Sequence, residues 1–174
     1  MVEGPDRPRD EGLEPRPPTQ ADLVSLCGEL NRLGAKYVVI GGFAMIHAGC
    51  LRFTGDLDLL IDLAPENERR VLEAVSMLPD GAALELKVGE VAENAVVRVA
   101  DEIVVDLMGN ACGIDYASAQ PEVETREVDG VDIPFASPRL LWCMKAGTHR
   151  ERDAPDLVFL RDWFARRNEE PPVL

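Results

Sequence analysis

The chain has 174 residues, enough for one domain with a core of its own. It is 46% hydrophobic and 29% charged, the balance of an ordinary globular protein. No apolar run approaches the roughly 18 residues that a membrane span needs. Its 18 Lys+Arg against 32 Asp+Glu give a net charge of −14, which opposes non-specific binding to nucleic acid but not the capture of cations such as Mg²⁺.

The N-terminus, Met1-Val2-Glu3-Gly4-Pro5, lacks an apolar segment and does not read as a secretory signal. Cys27, Cys50, Cys112 and Cys143 form no CxxC pair and sit among apolar neighbours. They point to reduced, mostly buried thiols in a cytoplasmic protein rather than to a disulfide framework or a zinc site.

Residues 1–19, with Pro5, Pro8, Pro15, Pro17 and Pro18 interleaved with charge, read as a disordered tail. One domain is expected over 20–168, followed by a short tail over 169–174. Thr19 and Asp22 have capping-box spacing, and Leu23, Leu26, Cys27, Leu30 and Leu33 follow at helical intervals until Gly34. The run Lys36 to Ile40 reads as a buried strand that stops at Gly41-Gly42. A short helix is expected over 43–50, a strand over 56–62 and a helix over 65–78 with Pro65 in its first turn. Strands are expected near 84–88, 95–99 and 102–108. Segments 123–128 and 131–135 flank Asp129-Gly130, a hairpin turn. Ser137-Pro138 opens a further helix, and a last one spans about 155–167. This order gives an α/β (α+β) sandwich, a mixed β-sheet flanked by helices.

Chemistry concentrates in Arg52-Phe53-Thr54-Gly55-Asp56-Leu57-Asp58. Side chains at i and i+2 on a strand share a face, so Asp56 and Asp58 would stand side by side while Leu57, Leu59 and Ile61 face the core. Two close carboxylates are unfavourable without a cation between them, and a hard divalent ion is the natural partner. Asp106 follows Ile103-Val104-Val105 on another strand, and a buried carboxylate there needs a partner too. A metal shared with Asp56 and Asp58 would supply it. Gly41-Gly42, ahead of a helix, permits close approach of backbone N–H groups to a phosphate.

Gly41-Gly42, Arg52-x-Thr54-x-Asp56-x-Asp58 and the strand acid Asp106 resemble the nucleotidyltransferase superfamily, which shares the palm-like fold of DNA polymerase beta. The match is nearest to its small bacterial members of the minimal and abortive-infection toxin types. The resemblance implies a nucleotidyltransferase fold and transfer of a nucleoside monophosphate from a nucleoside triphosphate, ATP among them, to a hydroxyl with release of pyrophosphate. It implies that Asp56, Asp58 and Asp106 are the catalytic residues and hold one or two Mg²⁺ ions, with Mn²⁺ as a substitute, and that Asp106 serves as base. Gly41, Gly42, Arg52, Thr54 and Lys145 would belong to the nucleotide site. The family commonly has Gly-Ser, whose hydroxyl touches the triphosphate; here Gly42 stands in place of the Ser.

Lys145, with Arg150-x-Arg152-Asp153-x-x-Asp156 after it, resembles a Lys…Arg-x-Lys-Asp-x-x-Asp stretch of the toxin-type relatives. Lys145 can neutralise triphosphate charge or cap its own helix. Arg52 can pair with an Asp to order its loop or contact phosphate. Thr54 reads as a turn residue as well as a ligand. Asp153 and Asp156 read as capping and ion-pairing residues, and His47 as a structural one. The acceptor is left open among a small molecule, a protein hydroxyl and tRNA, and a homo-oligomer or an antitoxin-like partner is compatible with so short a chain. An inactive binding or regulatory protein of the same fold is the alternative to an enzyme, and the toxin half of a toxin–antitoxin pair is a biological role for the same chemistry.

Overall fold

The computed structural model describes residues 14–174, so the tail expected over 1–19 falls largely outside the described residues. From Arg16 onward the chain is tied down. The Arg16 N–H donates to the Glu102 carbonyl at 2.9 Å, and its guanidinium grips the Asp22 carboxylate at 2.7 and 2.8 Å. The helix α1 (Gln20–Arg32) starts at the expected capping box, with Thr19 and Asp22 each accepting from the other's backbone N–H. It ends as Gly34 turns into the left-handed region at φ 68°.

β1 (Tyr37–Ile40) is buried throughout, as its unbroken apolar run requires of a central strand. α2 (Gly41–His47) follows without a connecting loop and so begins two residues before the expected 43 and ends at 47 rather than 50. β2 (Asp56–Ile61), α3 (Pro65–Val75), the single turn α4 (Glu90–Glu93), β3 (Val97–Ala100) and β4 (Val104–Met108) come next. A small hairpin, β5 (Asn110–Ala111) and β6 (Ile114–Asp115), and the turn α5 (Tyr116–Ala119) precede β7 (Val123–Val128) and β8 (Val131–Ala136). Asp129 and Gly130 both have positive φ, the geometry that lets a two-residue turn match strand twist. α6 (Pro138–Ala146) is capped by the Ser137 hydroxyl, and α7 (Ala154–Ala165) completes the domain.

The strand expected at 84–88 is a 3₁₀ turn over Ala82–Glu85 instead. Asp101 explains it: its carboxylate accepts from the N–H groups of Asp80, Ala82 and Glu102, and so satisfies a turn where a strand would need a neighbour. Cys112 also departs from expectation. It is exposed at φ 53° in the β5–β6 turn, whereas Cys27 is buried.

The six main strands form one sheet in the order β3-β4-β2-β1-β8-β7. β2–β4 and β1–β8 are parallel and the other pairs antiparallel, which makes the sheet mixed. α1 packs on α3 and β8, while α6 joins α2 to α7. Leu57, Leu59, Leu60 and Ile61 are fully buried, as are Phe135 and Phe164. Trp142 is buried edge-on to Phe164 and donates its indole N–H to the Pro172 carbonyl at 3.1 Å, which holds the C-terminal segment against α6. Among the described residues, no helix is long and apolar enough to cross a membrane.

Candidate metal and nucleotide site

Two strand registers build the site. In the parallel β2–β4 pair, Asp58 lies opposite Asp106; in the antiparallel β1–β2 pair, Ile40 lies opposite Asp58. Ile40 is the last residue of β1, so Gly41 and the start of α2 are delivered beside the Asp58 carboxylate. Asp56, two residues before Asp58, shares its face. One carboxylate oxygen from each of Asp56, Asp58 and Asp106 lies within 4.8 Å of the others. Asp106 is buried and Asp56 half-buried.

The cluster is electrostatically tense. Burial, with the charges of Asp56 and Asp106 added to it, pushes the Asp58 carboxyl up to about 7. The positive charge of Lys145 and the N–H of Gly42, which donates to Asp58, oppose that rise without cancelling it. Three oxygen donors of hard character around one point match what Mg²⁺ or Mn²⁺ requires. The donor set fits such an ion.

Gly41 has φ +61°, and a β-carbon there would collide with the Asp58 carboxylate. A β-carbon at Gly42 would collide with Thr54. The Thr54 hydroxyl donates to the Asp56 carbonyl at 2.9 Å and lies 3.4 Å from its carboxylate. Both glycines are therefore required by close packing around the acids.

Arg52 and Lys145 converge on one anchor. The Arg52 guanidinium pairs with Asp156, while Lys145 Nζ pairs with Asp156 at 2.9 Å and with Asp153 at 3.0 Å. The Thr148 hydroxyl adds a bond to Asp153 at 2.9 Å. Burial would raise the Asp153 carboxyl, yet the bond and charge of Lys145 outweigh it and hold it low. Arg52 thereby ties its loop to α7, and Lys145 bridges α6 to Asp153 and α7, an ion-pairing place that differs from the cap of its own helix. The loop so pinned leaves Leu51 and Phe53 fully exposed on either side of Arg52. A cleft of about 350 Å³ between Phe43, Ile46, His47, Phe53 and Pro18 reaches Thr54, so it abuts the acids without enclosing them. The His47 ring stacks on Phe135 at 4.2 Å, a structural placement; burial and then the charge of Arg126 lower its pKa.

Sequence reading misses Arg98. Its Nε and Nη2 donate to both oxygens of Asp106 at 2.9 and 2.7 Å, and Nη2 reaches Asp56 at 3.1 Å. Asp106 thus has a protein partner in Arg98 as well as its place in the three-acid cluster.

No family model and no curated protein matches the chain. A candidate nucleotidyltransferase from Thermotoga maritima has a crystal structure that superimposes over 85% of this chain and 93% of its own, with a TM-score of 0.51 and 17% identity. The fold is that of the nucleotidyltransferases. An antigenic nucleotidyltransferase-like protein from Paracoccidioides brasiliensis covers 81% of this chain and 74% of its own, at 18% identity and a TM-score of 0.44. Within the nucleotidyltransferase fold of this chain, the acids lie on the central β2 and its neighbour β4, and the helix that starts at Gly41 stands beside them.

Proposed function

We propose that the protein is a metal-dependent nucleotidyltransferase that moves a nucleoside monophosphate from a nucleoside triphosphate to a hydroxyl acceptor. The convergence of Asp56, Asp58 and Asp106 oxygens within 4.8 Å on two adjacent parallel strands carries this reading. Asp56 and Asp58 would hold a divalent ion on the donor phosphates, and Asp106 would share in a second. Bound there, such ions supply charge neutralisation at the entering and leaving oxygens. The protein's own part is placement. The Gly41-Gly42 backbone lets the phosphates approach the acids without a side chain in the way. An Asp106 oxygen accepts the proton of the acceptor hydroxyl as its oxygen bonds to the α-phosphorus. The bond from that phosphorus to the β-phosphate oxygen breaks, and pyrophosphate leaves with the electron pair.

Calorimetric titration of ATP, GTP, CTP and UTP with Mg²⁺, into wild type and Asp56→Asn/Asp58→Asn, tests the proposal. Metal-dependent binding lost in the double variant supports it and names the donor. Absence of binding by every nucleotide at millimolar concentration overturns it. A second reading, a regulatory protein that keeps the fold without turnover, is favoured by one observation: Lys145 and Arg52 are already spent on Asp153 and Asp156. Nucleotide binding without pyrophosphate release on any acceptor would select it.

A further inference from the structure

Arg98 is not used by the reading above, yet its placement is specified by the sheet. β3 alternates buried Val97 and Val99 with exposed Arg98 and Ala100, and its register sets Arg98 opposite Asp106. Asp106 in turn stands opposite Asp58. A row of Arg98, Asp106 and Asp58 thus runs across three neighbouring strands, with Asp56 alongside. Both oxygens of Asp106 and one of Asp56 are engaged by one guanidinium. These are oxygens that a divalent cation would need.

We propose that Arg98 is an exchangeable counter-ion of the site, which neutralises Asp106 and Asp56 in the metal-free protein and transfers to phosphate when a metal–phosphate complex arrives. The inference rests on the reading of the three acids as a cation site. Its logic is charge balance. A bare divalent ion that takes the Asp106 and Asp56 oxygens leaves the guanidinium without a partner, so it binds weakly. An ion that arrives with a triphosphate brings an anion whose geometry suits the same planar fork, so the number of ion pairs is conserved. The Arg98 side chain is 59% exposed and stands on the edge strand β3, so the fork is accessible from outside the sheet. Metal and phosphate are then coupled, and the coupling is reciprocal: each raises the affinity for the other. Arg98 acts here as a phosphate-binding residue, and the exchange makes or breaks no covalent bond.

The test reads binding, not turnover. MnCl₂ alone, and Mn²⁺ complexed with an α,β-methylene nucleoside triphosphate, are titrated calorimetrically into the full chain as wild type, Arg98→Gln and Arg98→Lys. Arg98→Gln is expected to bind Mn²⁺ alone about tenfold more tightly, because the charged hydrogen bonds that compete for the oxygens are gone. Its affinity for the Mn²⁺–nucleotide complex is expected to stay level or fall. Arg98→Lys, which keeps the charge without the fork, should lie between. Thermal melting in EDTA checks that the variants fold, and Arg98→Gln should melt lower there and recover in Mn²⁺. Equal Mn²⁺ affinity in wild type and both variants overturns the proposal while leaving the cation site standing. Equal tightening of bare ion and complex also overturns it, since Arg98 would then be only a barrier. If no protein binds Mn²⁺ in either form, the cation-site reading fails and takes the proposal with it.

Discussion

Thr54 occupies the space that any side chain at Gly42 would need: both its Oγ1 and its Cβ lie where a β-carbon of residue 42 would be placed. A hydroxyl therefore stands beside residue 42 on the loop before β2 and not on residue 42 itself. Gly42→Ser should destabilise the protein by about 2 kcal/mol through overpacking. The cost should shrink in part in a Thr54→Ala background, which removes Oγ1 but keeps Cβ, and further in Thr54→Gly, which removes both. A double-mutant cycle on urea denaturation measures this coupling. Independent, additive costs would show that the two positions do not compete for space.

Gly41 is constrained twice, by its φ of +61° and by the Asp58 carboxylate at its α-carbon. Gly41→Ala should cost about 1–2 kcal/mol for the left-handed backbone alone. It should also push Asp58 out of the cluster. The prediction is a lower melting temperature together with lost Mn²⁺ binding, read by calorimetry on the same sample. A folded Gly41→Ala protein with unchanged metal affinity would show that the carboxylate can move aside freely.

The raised Asp58 carboxyl makes metal-free stability depend on pH. Its folded value of about 7 exceeds its ordinary value of 3.8, so the folded state holds this proton more tightly than the unfolded chain does. The stability that this group contributes is complete below pH 3.8 and is lost as pH rises through about 7. Asp58→Asn removes the charge and keeps an oxygen for the Gly42 N–H. It should therefore be more stable than wild type at pH 8 in EDTA, by an amount on the order of 2–4 kcal/mol, and match wild type near pH 4. Mg²⁺ should raise the pH 8 melting temperature of wild type and leave Asp58→Asn unmoved. Differential scanning calorimetry at the two pH values decides it.

Asp156 holds two cations from different parts of the chain, Arg52 and Lys145, and is itself buried. Asp156→Asn leaves Arg52 without its carboxylate and Lys145 with Asp153 alone, and a loss of about 3 kcal/mol is expected. The loop over residues 50–55 should become a protease target in the variant, because Arg52 is its tether. Limited proteolysis followed by mass spectrometry reads this directly, and an unchanged cleavage pattern would mean that the loop is fixed by other contacts.

What the sequence revealed and what it hid divide along a physical line. The capping box of Thr19 and Asp22, the hairpin turn at Asp129-Gly130 and the Ser137 cap are local events, legible because their partners lie within a few residues. The strand carrying Asp56 and Asp58 was legible because its periodicity is two. The 3₁₀ turn at Ala82 was not, since Asp101 supplies its hydrogen bonds from 19 to 21 residues away. Arg98 escaped for the same reason: its opposition to Asp106 depends on the β3–β4 register, and Ala95-Val96-Val97-Arg98-Val99 by itself reads as one more strand. The role of Asp156 depends on a residue 104 positions earlier.

The parallel pairing of β2 with β4 also governs when the site comes into being. Asp58 and Asp106 become neighbours only after the chain has been made past Met108 and has crossed back to lie alongside β2. Contacts between residues so far apart in sequence form slowly compared with a helix or a hairpin. A nascent or partly unfolded chain therefore carries all three acids with no means of gathering a cation between them, and whatever chemistry they perform is confined to the finished molecule.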